Sequence, residues 1–532
     1  MSRVTILLGF LGTQLVAISG PAPARGQDSV DVLVRGGTVY DGSGGPARPV
    51  DVGFRGDRIT FLGDAARRRI PAHRVIDATG LIVAPGFIDP HTHSYEGLAS
   101  LSEERRRNTG ALMQGVTTVV TGADGRGPVE VARTLDVAER LGLGTNTYAL
   151  VGFGAVRGIV MGSSSAPASP AQIDSMRSLI AKGMREGAFG VGSGLFYAPQ
   201  SYSTTEEVIA VLKGAAPFGG VYDTHQRDES SYTIGLLNSV REAIRIGRET
   251  GLITNLGHVK ALGVDVWGYA DSVLALMRAA RASGHLVVAD QYPWTASGTS
   301  LGSSLLPRWS QAGGRDSLLA RLADSATRAR ILVEMRDNLR RRGGDSTLLI
   351  TGGGAATQQY RGKTLREVAL ESGTGSAETA LELIRAAGDI GVVSFNMNEG
   401  DIETFMKDPY VMTSSDGSGG HPRLYGTYPR KIRRYVIDKP VITMARMIQA
   451  SSGQVAEVYG IAERGALRQG FLADLIVFDP KTIREEATYL EPTKLATGMR
   501  WVFVNGQAAV EDGVPTGALA GRGLRKAVKP AP

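Results

Sequence analysis

The sequence predicts an α/β fold, a (β/α)8 barrel of the TIM type, with a small β-sandwich domain formed from both termini. Two patterns predict it. The middle of the chain alternates eight short apolar runs with segments of helical period, and both ends are β-rich. The runs are Leu81–Ile88, Val116–Thr121, Thr147–Val151, Ala188–Val191, Gly219–Tyr222, Leu252–Asn255, Leu286–Ala289 and Tyr410–Met412. Helical spacing fills most of the gaps, as in Ile234–Thr250 and Tyr269–Ala282. A third observation, that polar and ionisable residues follow these runs directly, favours a barrel over an open doubly wound sheet. Barrels gather reactive groups in the loops at the C-terminal ends of their strands.

At the N-terminal end, Asp31–Tyr40, Val50–Phe54 and Arg58–Leu62 read as strands separated by turns; Ala473–Phe478 and Trp501–Gly506 do the same near the C-terminus. The expected organisation is therefore a small β domain from residues 30–84 and 466–525 around a barrel at 85–465. Residues 294–409 are too long for a simple connection and are expected to form a helical insertion, with Leu318–Asn338 as its charged helix. Before all of this, Arg3, the mostly apolar Val4–Ile18 and the small residues Ala22-Pro23-Ala24 read as an export signal over residues 1–24, and thus as a periplasmic or secreted protein. An uncleaved anchor is the alternative, although the apolar stretch falls short of the roughly 20 residues of a membrane span.

With 532 residues, 42% hydrophobic and 21% charged, the chain has room for a large core and a second domain. The net charge of +7 comes with only short arginine runs, at 67–69, 105–107 and 340–342, none interleaved with aromatics. That argues for a solvated surface and no nucleic-acid partner. Cysteine is absent, which excludes disulfides, thiolate ligands and a cysteine nucleophile.

The chemistry begins at Pro85-Gly86-Phe87-Ile88-Asp89-Pro90-His91-Thr92-His93. On an extended chain residues i and i+2 point the same way, so His91 and His93 offer two imidazoles to one ion. Of only seven histidines in the chain, four follow probable strands: these two, His225 and His258. Asp416 closes the last run with a carboxylate. Each histidine alone could be a buried, hydrogen-bonded core residue; together with Asp416 they form a metal-hydrolase constellation. His73 and His285 precede or begin strands and read as structural, and His421 is left unassigned.

The stretches Pro85–His93, Gly115–Val120, Gly187–Gly190, Gly194–Pro199, Thr224–Glu229, His258–Lys260, Asp290–Pro293, Ser415–Gly417, His421–Thr427 and Gly470–Leu475 resemble the amidohydrolase superfamily. Within it they resemble the D-aminoacylases, or N-acyl-D-amino-acid deacylases, from about residue 30 to the end. The resemblance implies metal-dependent hydrolysis of the amide bond of small N-acyl, D-configured amino acids. It implies that His225 and His258 hold a tightly bound Zn2+, with His91, His93 and Asp416 at a neighbouring position, for one or two ions. Where the family carries Gly-Asn-Cys-Gly after strand two, this chain has Gly122-Ala123-Asp124-Gly125. Asp124 either replaces the thiolate, since carboxylates ligate and bridge zinc, or merely caps the next helix. An oxygen ligand would make Mn2+ or Co2+ more acceptable. The resemblance further implies that Asp416 moves the proton from water to the leaving nitrogen, and that Lys260, Tyr292 and Arg423 grip the substrate α-carboxylate, for which all three are suitable donors. A dipeptidase acting on D-residue dipeptides stays open. A hydantoinase- or dihydroorotase-like cyclic-amide hydrolase is weakened by the absence of lysine from Gly187–Gly194, and a catalytically dead binding protein by the intact ligand positions. The oligomeric state is not legible.

Overall fold

Eight parallel strands close into the barrel, in a computed structural model that describes residues 29–94, 100–388 and 390–527. The expected export signal lies outside the described residues. The strands are Phe87–Asp89, Val116–Thr121, Asn146–Ala149 with its continuation Val151–Gly152, Gly190–Gly194, Val221–His225, Ile253–Leu256, Val287–Gln291 and Val411–Thr413. Each pairs in parallel with the next, the third handing over to the fourth at Val151–Gly152. The eighth returns to the first through the backbone: Asp416 N donates to His91 O at 2.8 Å and His93 N to Gly417 O at 2.9 Å. Such strands are buried on both faces, which is why they read as continuous apolar runs without alternation. The outer helices follow the opposite rule. Leu236–Thr250 buries Leu236, Val240, Ala243 and Gly247, a stripe at helical spacing.

The first apolar run differs from the sequence reading. Leu81–Ile88 is two strands, Ile82–Pro85 and Phe87–Asp89, parted at Gly86. A Cβ on Gly86 would stand 2.2 Å from Thr117 Oγ1, so only glycine fits this crossing. Ile82–Pro85 belongs to the small domain, where it pairs antiparallel with Leu475–Phe478. One sheet there takes strands from both ends of the chain, in the order Thr38–Val39, Ile82–Pro85, Leu475–Phe478, Met499–Val504, Gln507–Glu511, Val514–Pro515. The facing sheet holds Val30–Arg35, Asp51–Arg55, Arg58–Gly63 and Ala72–Asp77. Between them lie Val34, Val52, Phe54, Val83, Leu475 and Phe503, with the Phe54 and Phe503 rings edge to face at 5.0 Å. The last strand, Gly523–Leu524, lies outside this domain and pairs with Thr147–Tyr148 of the barrel.

The insertion also departs from expectation. It is not wholly helical: Ser297–Ser300, Gly391–Ser394 and Leu348–Gly352 form a three-stranded antiparallel sheet in that order. The charged segment expected as one helix is two, Gly314–Ala323 and Ser325–Arg341, divided at Asp324, whose carboxylate accepts from Thr327 N at 2.8 Å as an N-cap. Glu399–Lys407, placed in the insertion by the sequence reading, packs on the barrel through Phe405, which joins Val273 and Met277 of Ala270–Ala282. Among the described residues no helix is long and apolar enough to cross a membrane.

Candidate active site

Asp124 lies at the centre of the histidines. Its Oδ1 is 3.4 Å from His91 Nε2, 3.5 Å from His225 Nδ1 and 3.6 Å from His258 Nε2, and its Oδ2 is 3.5 Å from His93 Nε2. These contacts are too long for good hydrogen bonds. They suit a shared cation instead: two donors each about 2.1 Å from a tetrahedral ion stand roughly 3.4 Å apart. Asp416 Oδ1 completes the ring, 3.1 Å from His93 Nε2 and 4.0 Å from His91 Nε2. The donors fall into overlapping sets, among them Asp124, His225 and His258 on one side and His91, His93 and Asp124 on the other.

The polar atoms in this ring fit a metal. His91 Nε2, Asp124 Oδ1 and His225 Nδ1, which faces the ring, are buried without a hydrogen-bond partner. Buried polar atoms are seldom left so, and divalent ions would satisfy them together. The six residues converge on one space whose chemistry fits divalent metal ions, and Asp124 stands between the two sets of histidines. The alternative role for Asp124, a cap on the following helix, does not match its direction: Val131–Leu141 starts at Glu130. The backbone is strained where it presents these groups. Asp124, His258 and Asp416 have φ of 56°, 37° and 46°, a left-handed conformation that non-glycine residues take up only under constraint. Gln200 supplies part of that constraint, accepting from Gly194 N at 2.8 Å and donating to Asp124 O at 2.9 Å. Gly125 makes room, since a Cβ there would lie 2.3 Å from Gln200 Oε1.

Behind the ring stands a layer of carboxylates that the sequence reading did not single out. Asp223 faces His91 Nδ1 at 3.0 Å and orients that imidazole so that Nε2 looks inward. Asn255 bridges Asp223 and Asp290 at 2.7 and 2.6 Å, and Asp290 accepts from His258 N at 2.8 Å. Glu229 lies 3.1 Å from His258 Nδ1 and 3.5 Å from His225 Nε2. A sequence signal existed for two of these. Asp223 precedes His225 by two on a strand and so shares its face, and Glu229 lies four residues after His225.

Electrostatics keep Asp124, Asp416 and Glu229 ionised. Burial works to raise the Asp124 carboxyl, but the imidazoles of His225, His258 and His91 hold it well below the usual range. Burial opposes ionisation of Asp416 too, and Arg423, then His258 and His93, overcome it. Glu229 is likewise held low against burial by Lys260 and the two histidines beside it.

Lys260, Tyr292 and Arg423 line one cavity of about 360 Å³ with His93, Asp124, His225, His258 and Asp416. Two of the three already have protein partners, which the sequence reading did not anticipate. Lys260 Nζ donates to Glu229 Oε1 at 2.6 Å. Arg423 Nη1 lies 2.6 Å from Asp416 Oδ2, with the guanidinium over the Tyr292 ring at 4.7 Å. Its Nε nevertheless lacks a hydrogen-bond acceptor, so some donor capacity remains. Tyr292 OH has only a long contact, 3.9 Å, to Met397 Sδ. His421 is a strut: Nε2 donates to Ala296 O at 3.0 Å and Nδ1 accepts from Arg423 N at 3.1 Å. Burial, then Arg423, keeps its imidazole neutral. His285 pairs with Thr254 Oγ1 at 2.8 Å, away from the ring.

A closed β/α barrel with a histidine–aspartate ring at its strand ends defines a metal-dependent hydrolase of the amidohydrolase class. Residues 74–207 match the family model described as Amidohydrolase family. The chain is 33% identical to the D-aminoacylase of Alcaligenes xylosoxydans xylosoxydans over 93% of its own length and 98% of that protein, and 33% identical to the N-acyl-D-aspartate deacylase of the same organism over 93% and 94%. Its structure superposes with a TM-score of 0.78, at 28% identity, on the N-acyl-D-glutamate deacylase of Bordetella bronchiseptica complexed with zinc and a phosphonate inhibitor, covering 93% of this chain and all of that one. The chain belongs to the D-aminoacylase, or N-acyl-D-amino-acid deacylase, family.

Proposed function

We infer that the protein hydrolyses the amide bond of N-acyl-D-amino acids, with Zn2+ held at the ring, releasing a carboxylate and the free amino acid. The observation that carries this reading is the pairing of two features in one cavity. Electron-pair donors without partners converge at Asp124, and a spare cationic donor, Arg423 Nε, belongs to the same cavity lining. The first set suits divalent ions and the second suits the carboxylate every amino-acid product carries. Relatives at 33% and 31% identity are named for aspartate and for glutamate, so identity alone leaves the side chain to be read from the pocket.

Held by these histidines and aspartates, a divalent ion would supply polarisation of the scissile carbonyl and a more acidic water. The chain's residues do the rest. Asp416 is anionic and stands at the ring, where it takes a proton from the attacking water and delivers it to the leaving nitrogen as the C–N bond breaks. Arg423, Tyr292 and Lys260 hold the α-carboxylate, fixing the scissile bond relative to Asp416. The strand Gly190–Gly194 offers no lysine, so the bridging place that a carboxylated lysine fills in cyclic-amide hydrolases would fall to Asp124. The test is a hydrolysis screen of zinc-reconstituted protein with paired N-acetyl-D- and N-acetyl-L-amino acids, a D-residue dipeptide and a hydantoin. The D-configured linear amides should be cleaved, and chelation should abolish it. Turnover confined to the cyclic amide would overturn the reading. Export through residues 1–24 is part of the same proposal, resting on the charge and apolar pattern of that segment. N-terminal sequencing of protein from a periplasmic fraction tests it, and an intact Met1 would refute cleavage.

A further inference from the structure

The active-site cavity does not end at the histidine–aspartate ring. A second cavity of about 370 Å³ adjoins it, and Ser300 and Ser303 line both. It lies between the barrel and the insertion. Ala198 and Pro199 form the barrel side, in the loop after Gly190–Gly194. Leu306, Leu318 and Ile384 form the insertion side, where the insertion's own apolar core reaches its edge. Such a lining suits an apolar chain. The hydroxyls at the junction satisfy each other: Ser300 Oγ donates to Ser303 Oγ at 3.0 Å and accepts from Ser303 N at 3.1 Å. Arg315, which also borders the cavity, is turned to a carbonyl and donates to Arg385 O at 2.9 Å.

Gly302 gives the cavity part of its width. It is the second residue of the helix Leu301–Leu305, it lines the cavity, and its φ lies outside the positive region. A Cβ there would find its nearest neighbour, Leu306 Cδ1, at 3.6 Å, an ordinary contact. Neither backbone nor packing therefore requires glycine, and glycine weakens a helix relative to alanine. What the missing side chain leaves is space.

The second cavity lies on the side of the ring away from the carboxylate anchors. Lys260, Tyr292 and Arg423 follow strands six, seven and eight, whereas Ala198 and Pro199 follow strand four, opposite strand eight in a closed barrel of eight. In an N-acyl amino acid the α-carboxylate and the side chain share one carbon, and the acyl chain leaves from the far side of the scissile carbonyl. With the carboxylate held by Arg423 and the carbonyl at the ring, the acyl chain is the part directed toward strand four and the second cavity.

We propose that this second cavity is an acyl-chain subsite, and that the protein favours N-acyl-D-amino acids carrying an unbranched apolar acyl chain over their N-acetyl forms. This rests on the proposed hydrolysis of N-acyl amino acids and adds the class of acyl group.

The experiment measures kcat/KM of the zinc-loaded full chain on D-alanine bearing acetyl, butyryl, hexanoyl and octanoyl groups. It should rise with length, by roughly two- to fourfold for each methylene that enters the second cavity. Gly302→Met puts a flexible apolar side chain into that space, and the octanoyl-to-acetyl ratio should then fall to within about threefold. Gly302→Ala, which adds only a methyl, should retain most of the ratio. A flat or falling series in the unaltered protein would overturn the subsite and leave the proposed function standing. So would a full ratio in Gly302→Met. A Gly302→Met protein that spares the acyl series but lowers the preference for N-acetyl-D-norleucine over N-acetyl-D-alanine would place the side chain in the cavity and overturn the assignment. Cleavage of none of these substrates would overturn both the subsite and the proposed function. The series with the unaltered protein decides the matter even where a substitution prevents folding.

Discussion

The rim of the barrel and the wall of the cavity treat buried polar groups in opposite ways. At the rim, lone pairs converge: His91, His93, Asp124, His225, His258 and Asp416 all turn acceptor atoms toward a common space. On the wall, donors accumulate: Arg423 keeps Nε without an acceptor, and the buried Arg342 has no carboxylate within ion-pair distance among the described residues. Either region alone would be a costly defect. Facing one another across one cavity, they describe what is missing from each, cations for the rim and an anion for the wall. Damage to the rim should therefore appear in the chemical step or in metal content, and damage to the wall in substrate affinity.

The largest effect should come from Asp416→Asn. The amide is nearly isosteric but accepts no proton at neutral pH, so kcat should fall by about 10²–10⁴-fold, with metal per chain, read by elemental analysis, still supplied by His225 and His258. Loss of metal or of thermal stability in proportion to the loss of rate would make Asp416 a structural residue. Next comes Asp223→Ala, one layer out. It removes the acceptor that orients His91, and competition with a chelator should report metal affinity weakened by roughly 10- to 100-fold. Unaltered affinity would confine the layer behind the rim to folding.

The wall should respond more mildly. Arg423→Gln should chiefly raise KM, because the α-carboxylate contact exists in both ground and transition states. It should also move the acid limb of the kcat/KM profile. Arg423 lowers the Asp416 carboxyl; without it that carboxyl protonates at higher pH, so activity should disappear sooner on acidification. An unchanged KM with kcat abolished would place Arg423 on the chemical side of the comparison. The smallest effect belongs to Tyr292→Phe, which deletes one donor and should raise KM by roughly two- to tenfold at constant kcat.

The rim was far more legible in the sequence than the wall. An apolar strand buried on both faces is a continuous run, and a histidine directly after it stands at the strand's C-terminal end, so four ligands and Asp416 followed from local pattern. Asp124 needed the family comparison to be noticed and the structure to be placed, because a single aspartate in a Gly-rich turn also suits a cap. The wall depends on residues 294–409, whose position over the cavity is tertiary. Ser297–Ser300 carries no apolar alternation to mark it as a strand, and Arg342 ends a charged helix in a run of arginines that reads as solvated surface. The pairing of Arg423 with Asp416, and of Lys260 with Glu229, follows from neither spacing nor composition. The domain boundary expected at 84/85 falls beside Gly86, but the division of the apolar run into two strands there was not legible, because the glycine is visible in the sequence while the side chain of Thr117 packed against it is not.

The account depends most on Asp124 as the bridge between the two halves of the rim. Anomalous scattering from crystals of the zinc-loaded protein tests this directly. Two zinc peaks should flank Asp124, one beside His225 and His258 and the other beside His91 and His93, with a carboxylate oxygen of Asp124 in reach of each. A carboxylate at position 124 turned away from every zinc peak would contradict it.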